Sequence, residues 1–262
     1  MPLCGPMVAY GTMRILVTGL SGLIGSTLRR QLETTDELRA LNRRAVPGVA
    51  GHQADIGDLD AIQPAFDGVD VVVHLAAELG QSPSFEAILR TNVVGTRNVF
   101  EAARRAGVRR VVYASSGAVV SGYEREDPYR ALVEGRYGDV GTWTTLTHES
   151  PTRPSGFYGA SKVWGEALAR HYADAHGLSM LGVRIGHVVA EDRPLTVRDF
   201  TVWCSRRDVA RMLELCIRAP ETARCEVFFA LSNNRWSYRD LEHPRKVLGY
   251  EPLDRAEEHR GT

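Results

Sequence analysis

This sequence predicts a doubly wound parallel α/β sheet, and three observations predict it. Short apolar runs alternate with helical patterns from residue 14 to residue 185. Those runs are nearly continuous in Val, Ile and Leu, as strands are when helices cover both faces of their sheet. A cluster of glycines, in VTGLSGLIG (17–25), joins the first run to the first helical stretch. Strand–helix alternation of this kind makes βαβ units with right-handed crossovers.

The elements follow in order. RILVT (14–18) reads as the first strand, and LIGSTLRRQLET (23–34) as a helix with Ile24, Leu28 and Leu32 on one face. LRALNR (38–43), the short GHQAD (51–55) and VDVVVHLA (69–76) are three further strand candidates. Between the last two lies DLDAIQPAFDG, with Asp58 as its N-cap. SFEAILRTNVVGTRNVFEAARRAG reads as one long helical stretch closed by Gly107 as a C′ glycine. RRVVYASS is the next strand, and a helix starting near Tyr158 leads into the strand LSMLGVRIG. Residues 122–155 form a polar excursion between a strand end and the Tyr158 helix, and long loops there usually belong to the site. The division expected is a loose extension over 1–12, a dinucleotide-binding unit over 13–186 and a small C-terminal substrate-binding portion over 187–262.

Composition narrows the function. Lys plus Arg equals Asp plus Glu at 32 each, which argues against a general nucleic-acid or anionic-membrane binder. Cys4, Cys204, Cys216 and Cys225 show no C-x-x-C spacing, so no metal is expected. Scattered cysteines suit a reducing cytoplasm. No run approaches the ~18 apolar residues of a membrane span, and the first residues lack the pattern of a signal peptide. The partner expected is a small molecule.

The loop Gly19-Leu20-Ser21-Gly22-Leu23-Ile24-Gly25 has the context a pyrophosphate site requires: a strand, a tight turn and a helix N-terminus with free N–H groups. About 20 residues on, an NAD site offers a carboxylate to the ribose hydroxyls. Here the second strand ends in Asn42, Arg43 and Arg44. Two guanidiniums suit a 2′-phosphate, which favours NADP over NAD; otherwise Asn42 meets the hydroxyl and the arginines are solvated. Asp55 and Ile56, after the third strand, are placed for the adenine edge.

Tyr158 and Lys162, in GFYGASK (156–162), share one helical face at i and i+4. A phenol titrates near pH ~10, and an ammonium beside it is expected to lower that value and make Tyr158 a usable acid/base. An isolated Y-x-x-x-K is more often a surface pair, so its company decides.

That company is TGLSGLIG, ADI, HLAA (74–77), TNVVGT (91–96), VVYASS (111–116) and YGASK, in order. Together they resemble the extended short-chain dehydrogenase/reductase family, the NAD-dependent epimerase/dehydratases, over residues 14 to 250. The wording of RPSGFYGASKVWGEALARHYADAHG, VRDFTVWCSRRDV and LGYEP is most similar to the uronate dehydrogenases of that family. The resemblance implies a Rossmann-type fold, a homodimer and hydride transfer with Tyr158 as acid/base. Lys162 would hold the phenolate and the nicotinamide ribose. Ser116, with Ser115 as the alternative, would bind the reacting oxygen, and Asn92 would support Lys162 directly or through a water. Leu75, Ala76, Ala77, Ala114 and Ile185 would line the cofactor channel.

Departures from the resemblance concern substrate. Where that group carries Asn and His after the serine, this chain has Gly117 and Ala118, and His187 replaces the serine after VRIG. Arg198, matching the arginine that holds a uronate carboxylate, is retained. The expectation is an NAD(P)-dependent oxidoreductase acting on a carbinol or carbonyl carbon of a small polar or sugar-like molecule, with Ser116, Gly117, Tyr158, His187 and Arg198 around it. A nucleotide-sugar epimerase and a non-catalytic cofactor sensor are the alternatives. The volume freed at residues 117 and 118, with Tyr123, Tyr129, Tyr137 and Trp143 of the excursion, is expected to admit a bulkier or less polar compound than a free uronate.

Overall fold

The computed structural model describes residues 11–79 and 83–260, so most of the expected extension over 1–12 lies outside the described residues. The strands are β1 (Arg14–Thr18), β2 (Glu37–Asn42), β3 (Ala50–Gln53), β4 (Val71–His74), β5 (Arg110–Ser116), β6 (Ser179–Ile185) and β7 (Cys225–Ala230). They form one sheet in the order β3-β2-β1-β4-β5-β6-β7, with every neighbouring pair parallel. The helices are α1 (Leu23–Leu32), α2 (Leu59–Ile62), α3 (Phe85–Ile88), α4 (Thr96–Arg105), α5 (Tyr129–Val133), α6 (Phe157–His176), α7 (Asp199–Val202), α8 (Arg206–Ile217) and α9 (Glu242–Leu248).

Side chains alternate between two cores. Ile15 and Val17 pack with Leu28 of α1 and Met212 and Leu213 of α8 on one face of the sheet. Leu16 faces the other way, into a cluster with Phe66, Val99 and Phe100 and with Tyr172 of α6. Both faces are therefore dry, which is why the strands read as unbroken apolar runs. A third cluster joins the excursion to the C-terminal portion: Val119, Val120, Leu132 and Leu146 pack with Val202, Phe229, Leu231 and Tyr238.

Several local expectations hold. Asp58 caps α2 by accepting from the Ala61 N–H at 3.0 Å, and Gly107 follows α4 with φ +68°. One does not. The stretch from Phe85 to Arg105 is not a single α-helix, because Leu89–Gly95 is π-helical. Gly95 is pressed against Ile56, where a Cβ would come within 2.6 Å of the isoleucine side chain. The wide turn directs Asn92 inward, where it is 1% exposed. The chain after residue 187 also does more than append a small portion: its β7 extends the sheet beyond β6.

Candidate active site

The site gathers at the carboxyl ends of the strands, where the order reverses between β1 and β4. Gly19 takes φ +74°, and a Cβ on it would lie 3.0 Å from the Ala76 nitrogen at the end of β4. At Gly25 a Cβ would meet the Gly19 and Leu20 carbonyls at 2.6 Å, so only glycine lets α1 approach its own strand this closely. Gly22 caps α1 without any side-chain bond, and the first turn carries no acid. Those unsatisfied N–H groups fit a pyrophosphate. Asn42 reaches across from β2, accepting from the Leu20 N–H at 3.0 Å and donating to Ser21 Oγ at 2.8 Å. Its side chain thus shapes the loop itself, where Ser21 is exposed, Leu23 half-buried and Ile24 packed partly against the core. Arg43 and Arg44 are exposed beside it.

A buried relay supports this floor. Thr18 Oγ1 accepts from the Ala76 N–H at 3.1 Å and shares a 2.7 Å hydrogen bond with His74 Nδ1. The other ring nitrogen, Nε2, meets Thr96 Oγ1 at 3.1 Å, so both nitrogens of His74 are hydrogen-bonded to hydroxyls. Burial, aided by the Lys162 charge, lowers His74 to about 3, so the imidazole stays neutral. Asp55 Oδ2 pairs with Arg90 at 2.8 Å while Oδ1 accepts from the Gly57 N–H, and its side chain stays 36% exposed. Ile56 is buried, and its carbonyl accepts from Asn98 Nδ2 at 2.9 Å.

Tyr158 and Lys162 stand in the first turns of α6, and Ser116 ends β5. Lys162 Nζ donates to the Ala114 carbonyl at 2.7 Å and lies 5.6 Å from the centre of the Tyr158 ring. One turn further along α6, Glu166 takes a bidentate pair from Arg184 of β6, both bonds 2.9 Å, and a 2.5 Å bond from Ser115 Oγ. This buried lock fixes α6 against β5 and β6, and it occupies Ser115, leaving Ser116 as the serine beside Tyr158. The Ser116 hydroxyl accepts from the Ala118 N–H at 3.1 Å. The expected direction of the Tyr158 pKa is not found: burial raises it, and the hydrogen bond with Ser116 offsets only part of that rise. Burial likewise lowers Lys162 to about 7, against the pull of Glu166. Asn92 does not bond Lys162 directly. It clamps Glu78 through both main-chain groups and donates to Ser161 Oγ, the residue before Lys162, at 3.2 Å.

On the substrate side the structure corrects an expectation. No volume is freed at Gly117, because a Cβ there would lie 2.0 Å from Arg239 Nη1. The Arg239 guanidinium fills the space, with Nη2 donating to the Gly117 carbonyl at 3.2 Å and to the Tyr238 hydroxyl at 3.1 Å. Its buried Nε has no hydrogen-bond partner among the described residues. Glu124 of the excursion joins this group, taking both forks of Arg198 at 2.7 Å and the Tyr238 hydroxyl at 2.5 Å, with Arg239 at 3.6 Å. Burial raises the Glu124 pKa, but the two arginines and Tyr238 outweigh it and hold the carboxyl below its ordinary value. Arg198 is therefore engaged by Glu124 while remaining 40% exposed.

Of the excursion aromatics, Tyr137 lines a cavity of about 530 Å³ with Arg193, Phe200 and Arg260, away from Gly117. Tyr137 stacks on Trp236 at 4.1 Å, Trp143 packs against the same indole, and Tyr129 meets Tyr238 edge-on at 5.3 Å. His187, two residues beyond the Ile185 partner of Ser116, donates Nδ1–H to Asp199 Oδ1 at 2.6 Å. Burial raises Asp199, yet His187 and the Leu195 and Thr196 N–H groups outweigh it, and the carboxyl titrates at about 2. Neither Glu124 nor Arg239 stands in a recognisable motif; the bare Gly117 is the one sequence signal that something else must fill that space.

Residues 15–211 match the NAD dependent epimerase/dehydratase family. The chain belongs to that family. An NAD-dependent glucose-6-phosphate dehydrogenase of Haloferax volcanii is 34% identical over 93% of this chain and 94% of its own length. A uronate dehydrogenase of Pseudomonas syringae pv. tomato is 32% identical over 93% of this chain and 83% of its own. The crystal structure of uronate dehydrogenase from Agrobacterium tumefaciens superposes with a TM-score of 0.79, at 33% identity over 95% of this chain and 87% of that one. The parallel sheet described above is the Rossmann-type sheet of this family.

Proposed function

We propose that this protein is an NAD(P)-dependent dehydrogenase that oxidises a carbinol carbon of a sugar-like substrate carrying an anionic group. The observation that supports the chemistry is Tyr158 hydrogen-bonded to Ser116, with Lys162 buried against Ala114, beside a glycine loop open to a pyrophosphate. Dehydrogenases among the full-length relatives support the reaction class. When bound, the nicotinamide supplies the hydride acceptor. As the phenolate, which a protonated Lys162 stabilises, Tyr158 takes the substrate hydroxyl proton and becomes the neutral phenol, while Ser116 holds the reacting oxygen. Negative cofactor charge and the Tyr158 phenolate both favour protonated Lys162.

The substrate class follows from charge. Glu124 is the one carboxylate within salt-bridge reach of both Arg198 and Arg239 among the described residues, so two guanidiniums share one paired carboxylate, with Asp199 acting on Arg198 from farther off. A carboxylate or phosphate on the substrate complements the two guanidiniums through the exposed side of Arg198. His187, oriented by Asp199, presents its other ring nitrogen to a hydroxyl. For the cofactor, Arg43 and Arg44 with no neighbouring carboxylate favour NADP, whereas relatives named for NAD support use of NAD as well. Steady-state turnover of both cofactors against sugar acids, sugar phosphates and neutral aldoses tests the reading. Reduction of cofactor with anionic sugars ahead of neutral ones is expected; no turnover with any of them, or epimerised product without net reduction, overturns it.

A further inference from the structure

His148 of the excursion, Glu226 of β7 and His243 of α9 come from segments far apart in the chain and meet away from the carboxyl ends of the strands. One ligand-capable atom from each lies within 4.8 Å of the other two. We propose that these three side chains bind one divalent transition ion of the zinc type, through two imidazole nitrogens and a carboxylate oxygen, with water completing the coordination.

The backbones that carry the trio are fixed without any metal. Leu146 and Arg239 form a bridge, with the Leu146 N–H on the Tyr238 carbonyl at 2.7 Å and the Asp240 N–H on the Leu146 carbonyl at 3.0 Å. Two residues on, His148 sits in a turn held by Thr147 and Ser150. Asp240 caps the start of α9 by accepting from the Glu242 and His243 N–H groups. Glu226 is held by the pairing of β7 to β6, next to Leu181.

The side chains are already in contact. The imidazoles of His148 and His243 stack at 3.7 Å, and His243 Nε2 lies 3.1 Å from Glu226 Oε2. His148 Nδ1 is buried with no hydrogen-bond partner, a cost that a ligand bond would remove. Ligands on a tetrahedral zinc stand about 3.3 Å apart. The separations here, all within 4.8 Å, must close by at most about 1.5 Å, which side-chain torsions of these half-buried residues supply. No C-x-x-C or H-x₃-H spacing announces such a site, since each ligand comes from a different segment. Bound there, the ion would clip the excursion to the edge strand of the sheet.

The test uses the full chain without a polyhistidine tag, stripped by a chelator and titrated with Zn²⁺ by calorimetry and with Co²⁺ by visible absorption. The result expected is one ion per chain, a Tm that rises with Zn²⁺, and Co²⁺ ligand-field bands of four- or five-coordinate strength. His148→Gln and Glu226→Gln should each weaken binding about tenfold or more. Zn²⁺ should also protect His148 and His243 of the unmodified chain from a histidine-directed reagent, a readout that needs no variant. Absence of saturable one-to-one binding, or binding unchanged in both variants, overturns the proposal.

Discussion

Arg239 Nη1 stands 2.0 Å from where a Cβ on Gly117 would be, so the guanidinium of a residue late in the chain occupies the side-chain space beside the candidate reacting serine. Glycine at 117 and arginine at 239 are one arrangement. Neither is interpretable alone.

A methyl group at residue 117 must therefore displace Arg239 from the Gly117 carbonyl and the Tyr238 hydroxyl. Gly117→Ala is expected to cost about 1–3 kcal/mol, as overpacking does, and to raise KM for an anionic sugar. Thermal denaturation and steady-state kinetics on the same preparation check it. An unchanged Tm with unchanged KM would mean that Arg239 moves aside freely.

Tyr158→Phe removes the group that exchanges the proton but leaves the ring in place. Turnover should fall by a factor of about 10²–10⁴, the usual contribution of general acid–base catalysis, with cofactor affinity nearly unchanged. Lys162→Ala should weaken both. Wild-type kcat in the Phe variant would remove Tyr158 from the mechanism.

Cofactor choice turns on the end of β2. Arg43→Ala should raise KM for NADP while leaving that for NAD almost untouched, because a charge-assisted contact to a 2′-phosphate is lost. A parallel rise for both cofactors, or a wild type that uses NAD better, would make Asn42 the ribose contact and the arginines bystanders.

Lys162 links stability to pH. Its folded pKa of about 7 lies below the ordinary lysine value of 10.5, so the unfolded chain binds more protons between those two values. Stability contributed by this group therefore rises with pH across that window and is lowest below its folded pKa. Lys162→Met should accordingly raise the free energy of unfolding most at pH ~6 and least at pH ~10, by on the order of a few kcal/mol at the acid end, as denaturant titration at the two pH values would read. Equal effects at both ends would mean that the ammonium is solvated in the folded protein.

The parts of this molecule governed by local rules were legible in the sequence. Strand periodicity, the Asp58 cap, Gly107 and the strand–glycine–helix turn all depend on neighbours within a few residues, and each is found where its residues indicated. Contacts between distant segments were not legible. Arg239 on Gly117 spans most of the fold, and Glu124 on Arg198 joins the excursion to α7, with no spacing rule to announce either. The π-helical turn at Asn92 was missed for a related reason, since its cause is packing of Gly95 on Ile56 from another element. The Tyr158 pKa was misjudged because charge proximity can be read from i and i+4 spacing, whereas burial cannot.

The third core cluster has a further consequence. It holds the excursion to the C-terminal segment, apart from the two clusters that pack against the glycine loop and the central strands. A structure with separate cores can open in stages. In rising urea the wall formed by Tyr129, Tyr238 and Arg239 should come away while β1, α1 and β4 remain assembled. Catalysis would then disappear at a lower denaturant concentration than dinucleotide binding, and over that interval the protein would hold its cofactor with nothing to reduce it.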